Sequence, residues 1–208
     1  MILSETEILR RLYCDRDLVI TPILNPAKQI GPTSIDLRLG TEFKVPRTAR
    51  HTHLEPRRPL SEIRREVERL TDTVRIGPEE PFVLHPGEFA LASTLEYICL
   101  PTTLAARLEG RSTWGRLGLQ VHSTAGFVDP GFEGILTFEL QNMGKLPLKL
   151  FAGIRIGQIC FFHCAATTIP YKRRPGSKYA EKIGSVSSLF FEDYEFGVIR
   201  EDAARDDG

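Results

Sequence analysis

The sequence has no excess of charge of either sign, because 27 lysines and arginines balance 27 aspartates and glutamates. Nucleic acids and anionic membranes are bound mainly through basic surfaces, so this balance argues against both kinds of partner. A small anionic ligand needs only a local cluster of cations and is compatible with it. The sequence also lacks the run of about 20 apolar residues that spans a bilayer, and MILSETEILRRL has no signal-peptide pattern.

Cysteine is sparse, and its positions show no disulfide-framework spacing: Cys14, Cys99, Cys160 and Cys164. We therefore expect a cytoplasmic protein with reduced thiols. Segment 160–164, Cys-Phe-Phe-His-Cys, contains metal-ligand residue types, but its cysteines share one side of an apolar strand and His163 faces the other. A core strand is therefore favoured over a metal site. The zinc nucleoside-deaminase signature, H-x-E followed by P-C-x-x-C, is absent too, and we predict no protein metal site.

Periodicity predicts a short N-terminal helix and one further helix. Ser4 and Glu7 form a capping box, and Leu3 can pack onto Ile8. The second helix is predicted over residues 60–70, where apolar side chains line one side of a charged segment.

Strand signals dominate the rest of the chain. Residues 34–39 alternate with period two, and from Phe82 onward short apolar runs are separated by Gly-, Pro- and Asn-containing turns. This spacing favours an antiparallel barrel or jelly roll over βαβ units. We predict a mainly β domain over residues 1–191. Residues 192–208 form a charged, apolar-poor tail that we expect to be disordered.

Residues 110–116, Gly-Arg-Ser-Thr-Trp-Gly-Arg, are here called the phosphate turn. They nearly match a P-loop, but Arg116 stands where Lys is required, and Trp114 breaks the G-x-S-x-G pattern of a nucleophile elbow. What remains is a turn with two guanidinium groups, two hydroxyls and several N–H groups, which suits a triphosphate. By local sequence alone, a solvated turn with surface arginines is equally favoured.

Two carboxylates, Glu139 and Asp129, can each be given either a functional or a purely structural role from local sequence. Glu139 lies on a predicted strand, on the face shared by Ile135, Thr137 and Gln141. It is either a poorly hydrated, catalytic carboxylate or a solvent-facing residue on an edge strand. Asp129 begins a tight turn, where capping its own main chain would be an adequate role.

Together these segments resemble the dCTP deaminase family, a relative of trimeric dUTPases. The likeness spans about residues 1–191 and is strongest over residues 108–142. The matching segments are 34–40, 84–88, 93–96, 108–118, 122–132, 136–139, 155–158 and 176–179. The resemblance implies a dUTPase-like distorted β-barrel and hydrolytic deamination of dCTP without zinc.

The resemblance also implies roles for individual residues. Glu139 would be the general base, deprotonating a water that attacks C4 of cytosine. Ser112 and the main-chain carbonyl of Ala125 would hold this water, and the charge of Arg116 would keep Glu139 ionised. Asp129 would bind the 3′-hydroxyl. The other implied nucleotide contacts are Arg111, Thr113, Trp114, Gly115, Thr137, Phe138, Gln158, Tyr171, Lys178 and Lys182.

The family resemblance further implies partners and departures. Mg²⁺ would be carried by the triphosphate, sites would be shared between subunits of a homotrimer, and dTTP is expected as a feedback inhibitor. Thr113 and Trp114 replace the commoner Ser and Leu of the family, and Lys182 replaces a Gln.

The loop after Thr124 predicts the final product. Family members that stop at dUTP resemble Ala-His-Arg, whereas dUMP-forming members resemble Ala-Gly-Phe or Ala-Gly-Trp; here Ala125 is followed by Gly126 and Phe127. We therefore predict conversion through dUTP to dUMP and pyrophosphate, which supplies dUMP for thymidylate synthesis. Gly126 would admit a water in line with the α-phosphate, and Asp129 would orient it.

Three alternatives stay open at this stage. In the first, Gly126 only permits a turn, Phe127 fills the barrel, and the reaction stops at dUTP. In the second, the chain is a dUTP diphosphatase only. In the third, it is a non-catalytic nucleotide-binding regulator. The joint presence of Ser112, Arg116 and Glu139 favours deamination over these last two.

Overall fold

The computed structural model describes residues 1–47, 55 and 58–196, and strands dominate them. Within these ranges the strands are β1 Val19–Thr21, β2 Ser34–Pro46, β3 Thr71–Arg75, β4 Phe82–Leu84, β5 Phe89–Cys99, β6 Leu104–Gly110, β7 Leu119–Gln120, β8 Phe127–Val128, β9 Glu133–Asn142, β10 Leu148–Leu150 and β11 Arg155–His163. The helices are α1 Glu5–Leu9, a π-helix Arg10–Asp15, α2 Pro26–Gln29, α3 Leu60–Arg69, α4 Ser112–Gly115 and two 3-10 helices, Tyr171–Arg173 and Phe190–Glu192.

Nine strands form one curled antiparallel sheet. Its main path runs β7–β9–β5–β2–β11–β6–β8, with β1 added to β5 and β3 added to β2, while β4 and β10 form a separate pair. In the described part of the chain the end strands β7 and β8 do not pair with each other. The sheet is therefore a distorted partial barrel, and the prediction of a mainly β fold is confirmed.

The two predicted helices are confirmed. The Oγ atom of Ser4 accepts a hydrogen bond from the Glu7 N–H at 3.4 Å, and Leu3 and Ile8 are buried. Helix α3 falls within the predicted segment and buries Ile63. The sequence pattern does not indicate α2 or α4, because a single turn is too short to show a helical period.

Strand β9 has the alternation that the sequence predicts. Phe138 and Leu140 are fully buried, whereas Thr137 and Glu139 are half-buried on the opposite side. The ring of Phe138 packs against Gly157 of β11, where a Cβ atom would lie only 2.6 Å from the ring. This close packing of β9 on the core fixes the direction of Glu139.

A buried polar cluster on β5 lies next to strand β9. Glu96 is fully buried in β5, where its carboxylate accepts hydrogen bonds from the Arg38 N–H at 2.8 Å and from the Gln29 side chain at 2.9 Å. Burial raises the pKa of Glu96. Here β5 shifts register against β9, and Thr94 Oγ1 accepts the Leu136 N–H at 3.1 Å. The cluster thus holds a bulge beside residues 136 and 137.

None of the helices in the described residues is long and apolar enough to span a bilayer. The domain boundary at residue 191 stays a prediction, and residues 197–208 of the expected tail lie outside the described residues. Glu192 and Asp193 form ion pairs with Arg64 and Lys178.

Candidate active site

A cavity of about 430 Å³ lies between β5, β9, the loop after β7 and the C-terminal segment. It is mostly apolar, with a few polar groups, as small-molecule sites commonly are. Its lining residues are Phe89, Leu91, Leu108, Ala125, Phe127, Val128, Asp129, Phe132, Ile135, Leu136, Thr137, Glu139, Tyr171, Tyr179, Val186 and Ser188. The predicted residues Ala125, Asp129, Thr137, Glu139 and Tyr171 are therefore brought together.

The carboxylate of Glu139 is bound to the adjacent loop. Its Oε2 atom accepts hydrogen bonds from the main-chain N–H groups of Ser123 at 2.7 Å and Thr124 at 3.3 Å. The Glu139 N–H donates to Val121 O at 2.9 Å. These bonds fix the carboxylate next to Ala125, in the arrangement expected of a positioned acid–base group.

The same loop approaches the sheet closely at Gly126. Its carbonyl accepts the Leu108 N–H at 2.7 Å, and a Cβ atom here would lie 3.0 Å from Leu108 O and 3.1 Å from the His122 ring. Gly126 is therefore favoured by close packing, whereas its φ does not lie in the left-handed region. Phe127 lines the cavity and is 65% exposed, so it does not fill the barrel in the single chain.

The predicted tight turn at Asp129 is present. The Asp129 carbonyl accepts the Phe132 N–H at 3.1 Å, and Gly131 has a φ of +77° that favours glycine. A side chain on Gly131 would collide with Pro170, which precedes Tyr171. The turn therefore joins Asp129 to the segment that carries Tyr171, and both reach the cavity.

The phosphate turn lies apart from this cavity. Ser112, Thr113, Gly115 and Arg116 are exposed at α4, and neither Ser112 nor Arg116 lines the cavity that holds Glu139. In the single chain, the predicted site residues thus fall into two groups, one around Glu139 and one on the turn.

Gln158 belongs to the second group. Its side-chain amide donates to Gly110 O at 3.3 Å and accepts a hydrogen bond from Ser34 Oγ at 3.2 Å. Phe138 differs in another way, since its side chain is buried in the core and only its main chain can face a ligand. The direct nucleotide contacts of both residues stay predictions.

The C-terminal segment closes one side of the cavity. The Val186 N–H donates to Thr137 Oγ1 at 3.4 Å, and the ring of Tyr171 lies 5.9 Å from that of Phe132. Lys178 is paired with Asp193, and Lys182 is exposed with its carbonyl bonded to the Ile135 N–H. Neither lysine lines the cavity.

An ion pair holds this segment to the sheet. Lys172 Nζ lies 2.6 Å from Glu133 Oε2, and the Tyr97 hydroxyl donates to Glu133 Oε1 at 2.9 Å. The hydrogen bond from Lys172 lowers the pKa of Glu133, while desolvation together with the Glu133 charge raises the pKa of Tyr97 to about 12.

Several lining residues were not predicted from the sequence. Tyr179 lies inside the matching segment 176–179, so the resemblance offered a signal for it. Phe89 and Leu91 share a strand face by simple alternation. Val186 and Ser188 follow no period, and only the fold brings them to the cavity.

Comparison with known proteins decides the family. The family model of dCTP deaminase-like proteins matches residues 2–164. This chain belongs to the dCTP deaminase-like family. The resemblance inferred from the sequence is thereby confirmed.

Two relatives of this chain carry a name that corresponds to the predicted product. A protein of Bifidobacterium animalis subsp. lactis named "dCTP deaminase, dUMP-forming" is 41% identical, over 93% of this chain and 96% of its own length. A Nocardia farcinica protein of the same name is 46% identical over 90% of each chain.

A solved structure supports the fold. The crystal structure of 2′-deoxycytidine 5′-triphosphate deaminase from Agrobacterium tumefaciens superposes with a TM-score of 0.57 at 24% identity. The match covers 77% of this chain and 48% of that one, so the matched part spans about half the length of the solved structure.

Proposed function

We propose that this chain deaminates dCTP and then cleaves the product to dUMP and pyrophosphate. The observation that carries the proposal is the cavity in which Glu139 is held by the loop N–H groups beside Ala125. Membership of the family and the names of its relatives support the choice of substrate and product.

In the first reaction Glu139 acts as the general base. It takes a proton from a water held by Ser112 and the Ala125 carbonyl, and the hydroxide adds to C4 of cytosine. Glu139 then passes this proton to N3. The proton of the new C4 hydroxyl next moves to the amino group, so that the C4–N bond breaks, ammonia leaves and C4 becomes a carbonyl carbon. A positioned acid–base group typically contributes roughly 100- to 10,000-fold to the rate. The reaction uses no protein-bound zinc in this scheme.

The main chain of β9 is suited to reading the pyrimidine edge. The N–H groups of Ile135 and Glu139 donate to Lys182 O and Val121 O, away from β5. Hydrogen-bonding directions alternate with period two in a strand, so the N–H and C=O groups of Thr137 point to the same side. They would meet a bound base between these two contacts.

The site is completed by a second subunit in this proposal. Ser112 and Arg116 are exposed on α4, while their proposed partner Glu139 lies in a separate cavity of the same chain. Exposed apolar residues support an interface: Leu117, Phe127, Met143 and Leu146 are 56–75% exposed. A homotrimer would place the phosphate turn of one subunit against the cavity of the next.

In the second reaction water attacks the α-phosphate of dUTP and pyrophosphate leaves. Gly126 carries no side chain, and its loop lies close against Leu108. Asp129, which lines the same cavity, would bind the 3′-hydroxyl and orient this water. The dUMP formed would supply thymidylate synthesis, and dTTP stays the expected feedback inhibitor.

Mg²⁺ would be held by the triphosphate. The phosphate turn offers guanidinium, hydroxyl and N–H groups, which bind phosphate rather than the metal itself. Lys178 would have to leave Asp193 before it could contact phosphate.

Product analysis tests the proposal. The protein is incubated with dCTP and Mg²⁺, and dUTP, dUMP, ammonia and pyrophosphate are resolved over time. We expect ammonia and pyrophosphate in near-equal amounts. Stoichiometric dUTP without pyrophosphate would remove the second step alone, and absence of ammonia would remove the deaminase assignment.

A further inference from the structure

The phosphate turn is bound to β11 through a β-bulge. The pairing of β11 with β2 shifts register between Arg155 and Gly157, and both carbonyls of the bulge face the turn. Ile156 O accepts the Arg111 N–H at 3.1 Å. Arg155 O accepts two side-chain donors, Arg111 Nη1 at 3.2 Å and the indole Nε1 of Trp114 at 3.1 Å. A carbonyl oxygen has two lone pairs, so it can hold both side chains at once.

Asp36 fixes the same arginine from the opposite side. Its Oδ1 atom lies 3.2 Å from Arg111 Nε, and its Oδ2 atom lies 2.9 Å from Arg155 Nη1. The Arg111 side chain is 28% exposed and that of Asp36 is 14% exposed. An arginine in this setting is held more firmly than one that extends freely into solvent.

Some N–H groups of the Arg111 side chain are not used by the protein and are available for a ligand. Arginine has five N–H donors; Nε faces Asp36 and Nη1 bonds to Arg155 O. Within the described residues the Nη2 atom has no protein hydrogen-bond partner. Two of the three guanidinium nitrogens are therefore bound to protein groups, and the N–H groups of Nη2 are free to bind phosphate oxygens.

We propose that Trp114 is a positioning residue that, together with Asp36, holds Arg111 and the phosphate turn ready for the triphosphate before the nucleotide binds. The inference rests on the proposed function of the turn. Trp114 is half-buried against the core, and its N–H shares the carbonyl that holds Arg111. Holding the site in its binding geometry lowers the ordering cost of binding, so its loss weakens affinity for phosphate rather than the chemical step.

The first test separates phosphate from nucleoside. Trp114→Phe keeps a packed ring and removes the N–H donor, and Tyr13→Phe on the N-terminal helix is the control. We expect Trp114→Phe to raise the KM for dCTP about two- to tenfold, the usual effect of one hydrogen bond, with kcat within about twofold. The inhibition constant of inorganic tripolyphosphate should rise by the same factor, and that of deoxycytidine should not change.

The second test uses the wild-type protein. Trp114 is the single tryptophan of the sequence, so emission excited selectively through tryptophan rather than tyrosine reports on this turn alone. Tripolyphosphate should change the emission in a saturable way, and deoxycytidine should leave it unchanged.

The outcomes distinguish this inference from the proposed function. Equal weakening of tripolyphosphate and deoxycytidine in Trp114→Phe, or no change in either constant, would overturn the positioning role while dCTP deamination stands. Tryptophan emission that stays constant while tripolyphosphate saturably inhibits dCTP turnover would mean that phosphate binds away from the Trp114 ring, and it would also overturn the positioning role. If wild type releases no ammonia from dCTP, the proposed function fails, yet the fluorescence titration still decides whether this turn binds polyphosphate.

Discussion

The Oε2 atom of Glu139 lies 2.7 Å from the main-chain nitrogen of Ser123, which joins the middle of β9 to the loop that carries Ala125. The Glu139 side chain and Ala125 of the loop thus line the same cavity in a fixed relation. Because Phe138 is locked in the core beside this carboxylate, the direction of Glu139 is set by the packing of β9. The proposed chemistry depends on this rigidity.

A variant of Asp129 should affect the two proposed reactions to different extents. Asp129→Asn keeps the size and polarity of the side chain but cannot accept a proton. We expect pyrophosphate release to fall at least tenfold and ammonia release to fall less, so that dUTP accumulates. Parallel assays of ammonia and pyrophosphate measure this, with Asp15→Asn at the end of the N-terminal π-helix as control. Equal loss of both products would assign Asp129 to binding alone.

The shared site predicts complementation between inactive subunits. Arg116→Ala and Glu139→Gln should each be inactive alone. If each site takes Arg116 from one subunit and Glu139 from another, an equal mixture reassembled after dissociation should have about a quarter of its sites intact. Ammonia release from the mixture, against each variant treated alike, measures this. A mixture as inactive as its components would place both residues in one chain's site.

The C-terminal segment should be held less firmly at low pH. Lys172 lowers the pKa of Glu133, so the ionised carboxylate stabilises the fold above its ordinary pKa, and this contribution is lost as pH falls through the lowered pKa. Lys172→Met should therefore lower the unfolding midpoint at pH 7, and the difference from wild type should shrink as the pH is lowered through this range. Lys172→Arg, which keeps the charge, is the control. A difference that does not shrink as the pH falls would contradict this linkage.

Activity should depend on the Mg²⁺ that the nucleotide carries and not on zinc. A strong zinc chelator at micromolar concentration should leave ammonia release intact, because the proposed base is Glu139 and the water is held by protein groups. Removal of Mg²⁺ should weaken activity through the triphosphate. Activity that is lost with the chelator and restored by zinc alone would contradict the scheme.

Local patterns predicted the elements, and the resemblance predicted the residues. The alternation of β9, the capping box at Ser4 and the turn at Asp129 depend on a few neighbouring residues, so the sequence predicts them. The hydrogen bond from Trp114 to Arg155 joins residues 41 positions apart through a bulge. Helical or strand periodicity in the sequence cannot predict such a contact.

The same distinction explains the site. The sequence allowed two interpretations of Glu139. Alternation along β9 shows which strand face carries this residue, but it does not show which other residues cover that face. Val186 and Ser188 cover part of that face, and they come from a segment without a period. The separation of Arg116 from Glu139 is equally non-local, since it depends on how the phosphate turn leaves β6.

The central claim is that Glu139 is the base for deamination of dCTP, and Glu139→Gln tests it most directly. Gln is nearly isosteric, but it cannot take the proton from water. We expect ammonia release to fall by roughly 100-fold or more, while dCTP binding, followed by the emission of Trp114 or by calorimetry, persists within about tenfold. Ammonia release within tenfold of wild type would remove Glu139 from the mechanism.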